Sequence, residues 1–211
     1  DALPHRQHER YLYGGKEKDE SEAAKVSRKI QEMIYSLPMS LSVGGADHAI
    51  RSDYRVILDL IEVLNDPDFS DADKAEATIQ TIFPDWEKLT DYSEALEKCF
   101  WFIDLGQPHG KKSARLVDWE KDFPYIVAPV NRVLGYECRS VEYLHWWTFM
   151  GAYMEIGGDC AFSQIVSLRS KLAKGKKLEK YEREWLRHNR DLVTLPTKYT
   201  AEDEEMLKKW T

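Results

Sequence analysis

Four stretches of the sequence hold side chains that could do chemistry. The first is His5-Arg6-Gln7-His8-Glu9. A catalytic zinc on a helix takes two histidines four apart with a glutamate beside the first, or the inverted His-x-x-Glu-His, so that ligands and base share one face. Here the histidines are three apart and the glutamate follows the second, which fits neither pattern. The second stretch, Gly106-Gln107-Pro108-His109-Gly110-Lys111-Lys112-Ser113, has the composition of a phosphate loop. That loop needs four residues between its glycines and Lys-Ser/Thr directly after the second, and it follows a buried strand. This one has three residues, an extra lysine and a helical pattern in front of it. The third is His145, flanked by Leu144 and Trp146 in the most apolar part of the chain. No serine, cysteine or carboxylate is spaced to form a triad with it, so a buried histidine satisfied by hydrogen bonds is expected. The fourth is the basic stretch 169–190, with nine Lys/Arg against three Asp/Glu. Nucleic-acid binders carry a basic balance and interleaved aromatics. The chain's net charge of −7, and Glu179, Glu182 and Glu184 inside the stretch, argue against that reading. No catalytic, cofactor-binding or metal-binding residue is therefore assigned, no cofactor is expected, and the protein is read as acting without being an enzyme.

The chemistry thus shifts to binding, and composition says what kind. The 211 residues, 43% of them hydrophobic, are enough for one domain with a real core, or one domain plus an arm. No apolar run approaches the ~20 residues a membrane span needs, so no membrane partner is expected. The first residues, Asp1-Ala2-Leu3-Pro4-His5-Arg6, lack an apolar signal segment and an initiating methionine, the pattern of a fragment or processed product. Cys99, Cys138 and Cys160 are odd in number and widely spaced, which predicts buried reduced thiols rather than a disulfide or zinc framework. Charge is distributed unevenly. Residues 33–110 carry 15 acidic against 5 basic side chains, whereas 169–190 are net positive. An acidic front and a basic rear can steer one copy onto the next, or onto a partner of matching field.

Periodicity gives the elements that must position these charges. Residues 16–35 read as a helix with a thin apolar stripe, Ala23, Val26, Ile30, Met33 and Ile34, suited to an arm that binds a partner. Around Gly44-Gly45, residues 41–50 read as a small β-hairpin. Helices are predicted after Ser52 or Asp53 up to Asn65, after Ser70 up to about Phe83, from about Tyr92 to Leu105, and over 118–134 with a kink at Pro129. A helix capped by Ser140 and running to about Ile156 is apolar nearly all round, and so is expected to be buried on every side. Helices over 162–171, 178–192 and from about Thr200 complete the chain. The fold class predicted is mainly α: a multi-helix globular domain over 33–196 with a small N-terminal hairpin. A partly helical arm (1–32) precedes it and a short terminal helix (197–211) follows.

The order of several landmarks resembles the bacteriophage gene-product-fifteen family of long-tailed phages over residues 33–196. These are Met33-Ile34-Tyr35-Ser36-Leu37-Pro38, Ser52-Asp53-Tyr54-Arg55-Val56, Asp66-Pro67-Asp68-Phe69-Ser70-Asp71, Cys99-Phe100-Trp101-Phe102, Asp118-Trp119-Glu120-Lys121-Asp122, Val141-Glu142-Tyr143-Leu144-His145-Trp146-Trp147-Thr148-Phe149 and Phe162-Ser163-Gln164-Ile165-Val166-Ser167-Leu168-Arg169. The resemblance implies a tail-assembly chaperone in the host bacterial cytoplasm, binding the tape-measure protein and tail-tube subunits and carrying no catalytic residues. The alternative is a structural subunit that stays in the virion, as a tail-completion or head–tail connector protein. The residues expected to bind protein are Val26, Ile30 and Met33 on the arm and Lys180, Arg183, Arg187 and Arg190 on the basic helix, with the acidic region 59–76 beside them and self-association through opposite charges. Members of the family begin near the equivalent of Met33, so the arm departs from the pattern.

Overall fold

Gly44 and Gly45 set the first element. Both have positive φ, +60° and +80°, which the two central residues of a type I′ hairpin turn require. The turn joins β1 (Ser40–Val43) to β2 (Ala46–Ala49), paired antiparallel from Ser40↔Ala49 to Val43↔Ala46. Leu41 and Val43 alternate inward and are buried. A Cβ on Gly44 would sit 2.3 Å from Thr90 Oγ1, so the bare backbone is what lets the turn dock there. Its N–H donates to Glu94 Oε2 at 2.7 Å.

This computed structural model describes residues 35–108 and 114–196. The predicted arm with Val26, Ile30 and Met33, the His5–Glu9 motif, the centre of the 106–113 loop and the terminal helix lie outside them.

Helix α1 (Tyr54–Asn65) starts where predicted: Asp53 is the N-cap and accepts from Arg55 N–H. It buries Tyr54, Ile57 and Leu60, a 3–4 spacing, and ends at Asp66 before Pro67. Helix α2 (Asp71–Ile82) opens with a reciprocal capping box between Ser70 and Asp73 and ends before Pro84. Helix α3 (Tyr92–Ile103) is capped by Asp91. It stops two residues short of expectation because Leu105 and Gly106 take positive φ. Helix α4 (Trp119–Leu134), capped by Asp118, ends on Gly135 in the left-handed region. It stays helical across both Pro124 and Pro129.

The largest correction concerns the aromatic segment. Ser140 caps no helix; it closes a turn on Glu137 O through its N–H and hydroxyl. Residues 143–145 are not helical, and a β-bridge joins Asp53 to His145. Tyr54 N–H donates to Leu144 O at 2.9 Å and Trp146 N–H to Ser52 O at 2.7 Å. Leu144 N–H reaches Asp53 Oδ2 at 3.0 Å. Only from Trp146 does helix α5 (Trp146–Met154) begin. Nor is it buried all round: Trp146 and Phe149 are buried, Trp147 is half-buried and Met154 is exposed, as is Tyr143 at 48%.

Helix α6 (Ala161–Ala173) is capped by the Cys160 sulfur, which accepts from Ser163 N–H. Cys99 and Cys138 are buried and Cys160 is half-buried; all three are free thiols. The helix predicted over 178–192 is two: α7 (Lys180–His188) and α8 (Arg190–Val193). Asn189 divides them. Its backbone leaves the helical region (φ −126°, ψ 32°) and its side-chain amide donates back to Trp185 O at 3.0 Å. Asparagine competes for the backbone groups that a helix needs, which explains the break.

The main core runs from the hairpin through α1–α5 to Phe162. A small second cluster holds Leu168, Leu178 and Val193, with Trp185 and Leu186 against it. Arg169 ties the two regions together. Its guanidinium donates to Asp122 Oδ2 and Oδ1 at 2.5 and 2.9 Å, to Leu116 O at 2.9 Å, and to Leu192 O and Val193 O at 2.7 and 2.9 Å. Arg169 is 4% exposed. This first residue of the basic stretch is therefore a structural clamp, not part of a solvated face.

Candidate protein-binding surface

Among the described residues, His145 is consumed by packing. His145 is 2% exposed. Its Nδ1 accepts from Trp147 N–H at 3.0 Å, capping α5, and its Nε2 lies 3.0 Å from Pro38 O, which accepts the ring proton. Burial holds its pKa below the ordinary imidazole value, against the opposing pull of the Pro38 carbonyl. The neutral ring is thus the form that fits. The two indoles that follow finish α3: Trp146 Nε1–H donates to Ile103 O at 3.0 Å and Trp147 Nε1–H to Phe102 O at 2.8 Å. These are last-turn carbonyls, which lack the helical i+4 donor; Phe102 O also accepts from Leu105 N–H at 3.2 Å. Gly106 sits against this pair of elements. A Cβ there would come within 3.3 Å of both Trp101 and Trp147. The first glycine of the phosphate-loop resemblance therefore serves indole packing. Burial also pushes Cys99 and Tyr54 up to about 12, so neither is ionised near neutral pH.

The basic side chains of α7, in contrast, face outward. Lys180, Arg183 and Arg187 follow at 3–4 spacing along one exposed face of α7. The opposite face turns inward through Glu182, Trp185 and Leu186. Glu182 is buried, accepts from Lys171 Nζ at 2.5 Å and from Glu179 N–H at 2.9 Å, and is held below the usual carboxylate range by those bonds. Arg183 has one bond inward, to Leu178 O. Arg190 is exposed too, but it begins α8 beyond the Asn189 break. Beside Lys180, Tyr181 is 70% exposed.

On the acidic side the structure adds what sequence reasoning missed. A groove of about 660 Å³ runs between α1 and α4. Its floor is Tyr54, Leu58, Trp119 and Phe123, and its rim carries Arg55, Asp59, Glu62, Glu120 and Arg139. Tyr54 is stacked on Phe149 (centroids 4.4 Å, planes 9° apart), so the floor is rigid aromatic core. A smaller groove of about 420 Å³ lies between α2 and α3, lined by Ala75, Ile79, Trp86, Tyr92 and Leu96 among others. Asp59 and Glu62 signalled acidity along the chain, but nothing local showed that residues sixty positions apart would wall one cleft.

Among the described residues, no helix is long and apolar enough to cross a membrane, and no group of three or more His, Cys, Asp or Glu is placed to hold a metal ion. A protein-family model described as "Bacteriophage Gp15 protein" matches residues 33–195. No curated protein and no solved structure matches the chain.

Proposed function

Because the chain belongs to the bacteriophage Gp15 family, we propose that it works as a non-enzymatic tail-assembly chaperone in the host cytoplasm, shielding the tape-measure protein until tail-tube subunits replace it. The observation that supports this reading is the division of labour among its side chains. His145, Cys99 and Arg169 are locked into packing, whereas Lys180, Arg183, Arg187 and Arg190 are presented to solvent on α7 and α8. Exposed charge on a rigid scaffold suits binding that is fast, salt-sensitive and reversible, as an assembly factor requires.

The test has two arms. In the first, the chain is co-expressed with the tape-measure and tail-tube proteins of the same phage. Co-purification that falls when Lys180, Arg183, Arg187 and Arg190 are changed to Glu is expected; no co-purification with either protein refutes the chaperone reading. In the second, purified virions are analysed by mass spectrometry. A chaperone is absent or scarce there, while a fixed stoichiometry in mature particles would make it a structural subunit instead.

A further inference from the structure

The α1/α4 groove and the α7 face are complementary in charge, length and chemistry. The two arginines on the groove rim are already neutralised from within the chain. Arg55 Nη1 pairs with Asp53 Oδ2 at 3.0 Å, its other end donates to Val141 O at 2.7 Å, and its guanidinium lies 4.7 Å above the Tyr54 ring. Arg139 pairs with Glu137 at 2.8 Å, and that partnership pulls the Glu137 carboxyl down to about 2. Asp59 and Glu120 are exposed on the rim and have no ion pair among the described residues. The rim therefore presents net negative charge over an aromatic floor. Along α1 the lining runs from Tyr54 to Glu62, about 12 Å at 1.5 Å per residue. On α7 the basic face from Lys180 to Arg187 spans about 10.5 Å by the same rise. Beside that face stands the exposed ring of Tyr181, an apolar body with a polar tip of the kind found at interface anchors.

We propose that a second copy of this chain docks α7 in the groove, with Lys180, Arg183 and Arg187 against Asp59 and Glu120 and with Tyr181 over the aromatic floor. Groove and helix are different surfaces of one molecule. The contact is thus heterologous: one copy keeps a free α7 face and the other a free groove, so further copies add head to tail, as an open row or a closed ring. This inference uses the α7 face that the chaperone reading presents to its partners, but its test needs only the chain itself, so the two can fail separately.

The experiment is sedimentation velocity of the full chain over a concentration series at about 50 and 500 mM salt. Concentration-dependent association at low salt, weakened at least tenfold at high salt, is expected. The Asp59→Lys/Glu120→Lys variant and the Lys180→Glu/Arg183→Glu/Arg187→Glu variant should each stay monomeric, with wild-type circular dichroism and melting. Mixing the two restores association, because each supplies the surface that the other lacks. A wild-type chain monomeric at every salt concentration overturns the proposal, as does association that neither variant reduces. It is equally overturned if the wild type is monomeric and the groove variant instead loses binding to a tape-measure or tail-tube protein, because the groove would then belong to that partner.

Discussion

At the scale of single residues, His145 and the two tryptophans after it use their polar atoms to join elements distant in sequence. His145 must be neutral to accept the Trp147 N–H, and burial depresses its pKa. As pH falls, the unfolded chain takes up this proton first, near the ordinary value of 6.5. Stability from this site is therefore complete above that value and declines as pH drops from it towards the lower folded pKa. Urea midpoints taken between about pH 7.5 and 5.5 should fall for the wild type. His145→Asn keeps a capping oxygen but cannot titrate; it should be weaker by about 1 kcal/mol at neutral pH and lose the slope. An unchanged slope in that variant would assign it to another group. The tryptophans differ in depth. Trp146, 2% exposed and hydrogen-bonded to Ile103 O, should cost about 3–5 kcal/mol when changed to Ala. Trp147→Ala should cost less, since its ring is half-buried; equal losses in denaturation would contradict the packing described.

At the scale of elements, the junction of α4 with α6–α8 depends on Arg169. The buried guanidinium neutralises Asp122 and satisfies carbonyls of Leu192 and Val193 beside the end of α8. Removing one partner of a buried ion pair strands the other charge. Arg169→Met should therefore cost about 3–5 kcal/mol, and Arg169→Lys should recover little, because a single ammonium cannot reproduce the planar fork. Hydrogen exchange separates this from a general loss of stability. Amides of α7 and α8, which rest on the small Leu168–Leu178–Val193 cluster, should lose protection first, while α1–α3 keep theirs. Uniform loss along the chain would show that the clamp belongs to the main core.

At the scale of the whole molecule, the proposed docking of α7 against the acidic groove would make association an electrostatic property. Changing Lys180, Arg183, Arg187 and Arg190 to Glu should shift folding stability by within about 0.5 kcal/mol per residue, as for exposed sites, yet abolish salt-sensitive binding; a variant that unfolds would place those side chains in the packing. Local chemistry was enough to read much of this fold. Asp53 and Ser70 cap helices through their own side chains, and Gly44-Gly45 makes a hairpin, because caps and turns are settled within four or five residues. The basic helix face was legible for the same reason, since helical spacing alone puts Lys180, Arg183 and Arg187 together. Tertiary contacts decided the rest. The 143–145 segment exchanges helical bonds for bonds to Ser52, Asp53 and Tyr54. Arg169 is drawn from a charged stretch into the interior by Asp122, forty-seven residues away. The groove forms only once α4 lies beside α1. Each of these rests on partners far apart in the chain, whose pairing depends on how the helices pack and not on any local pattern of residues.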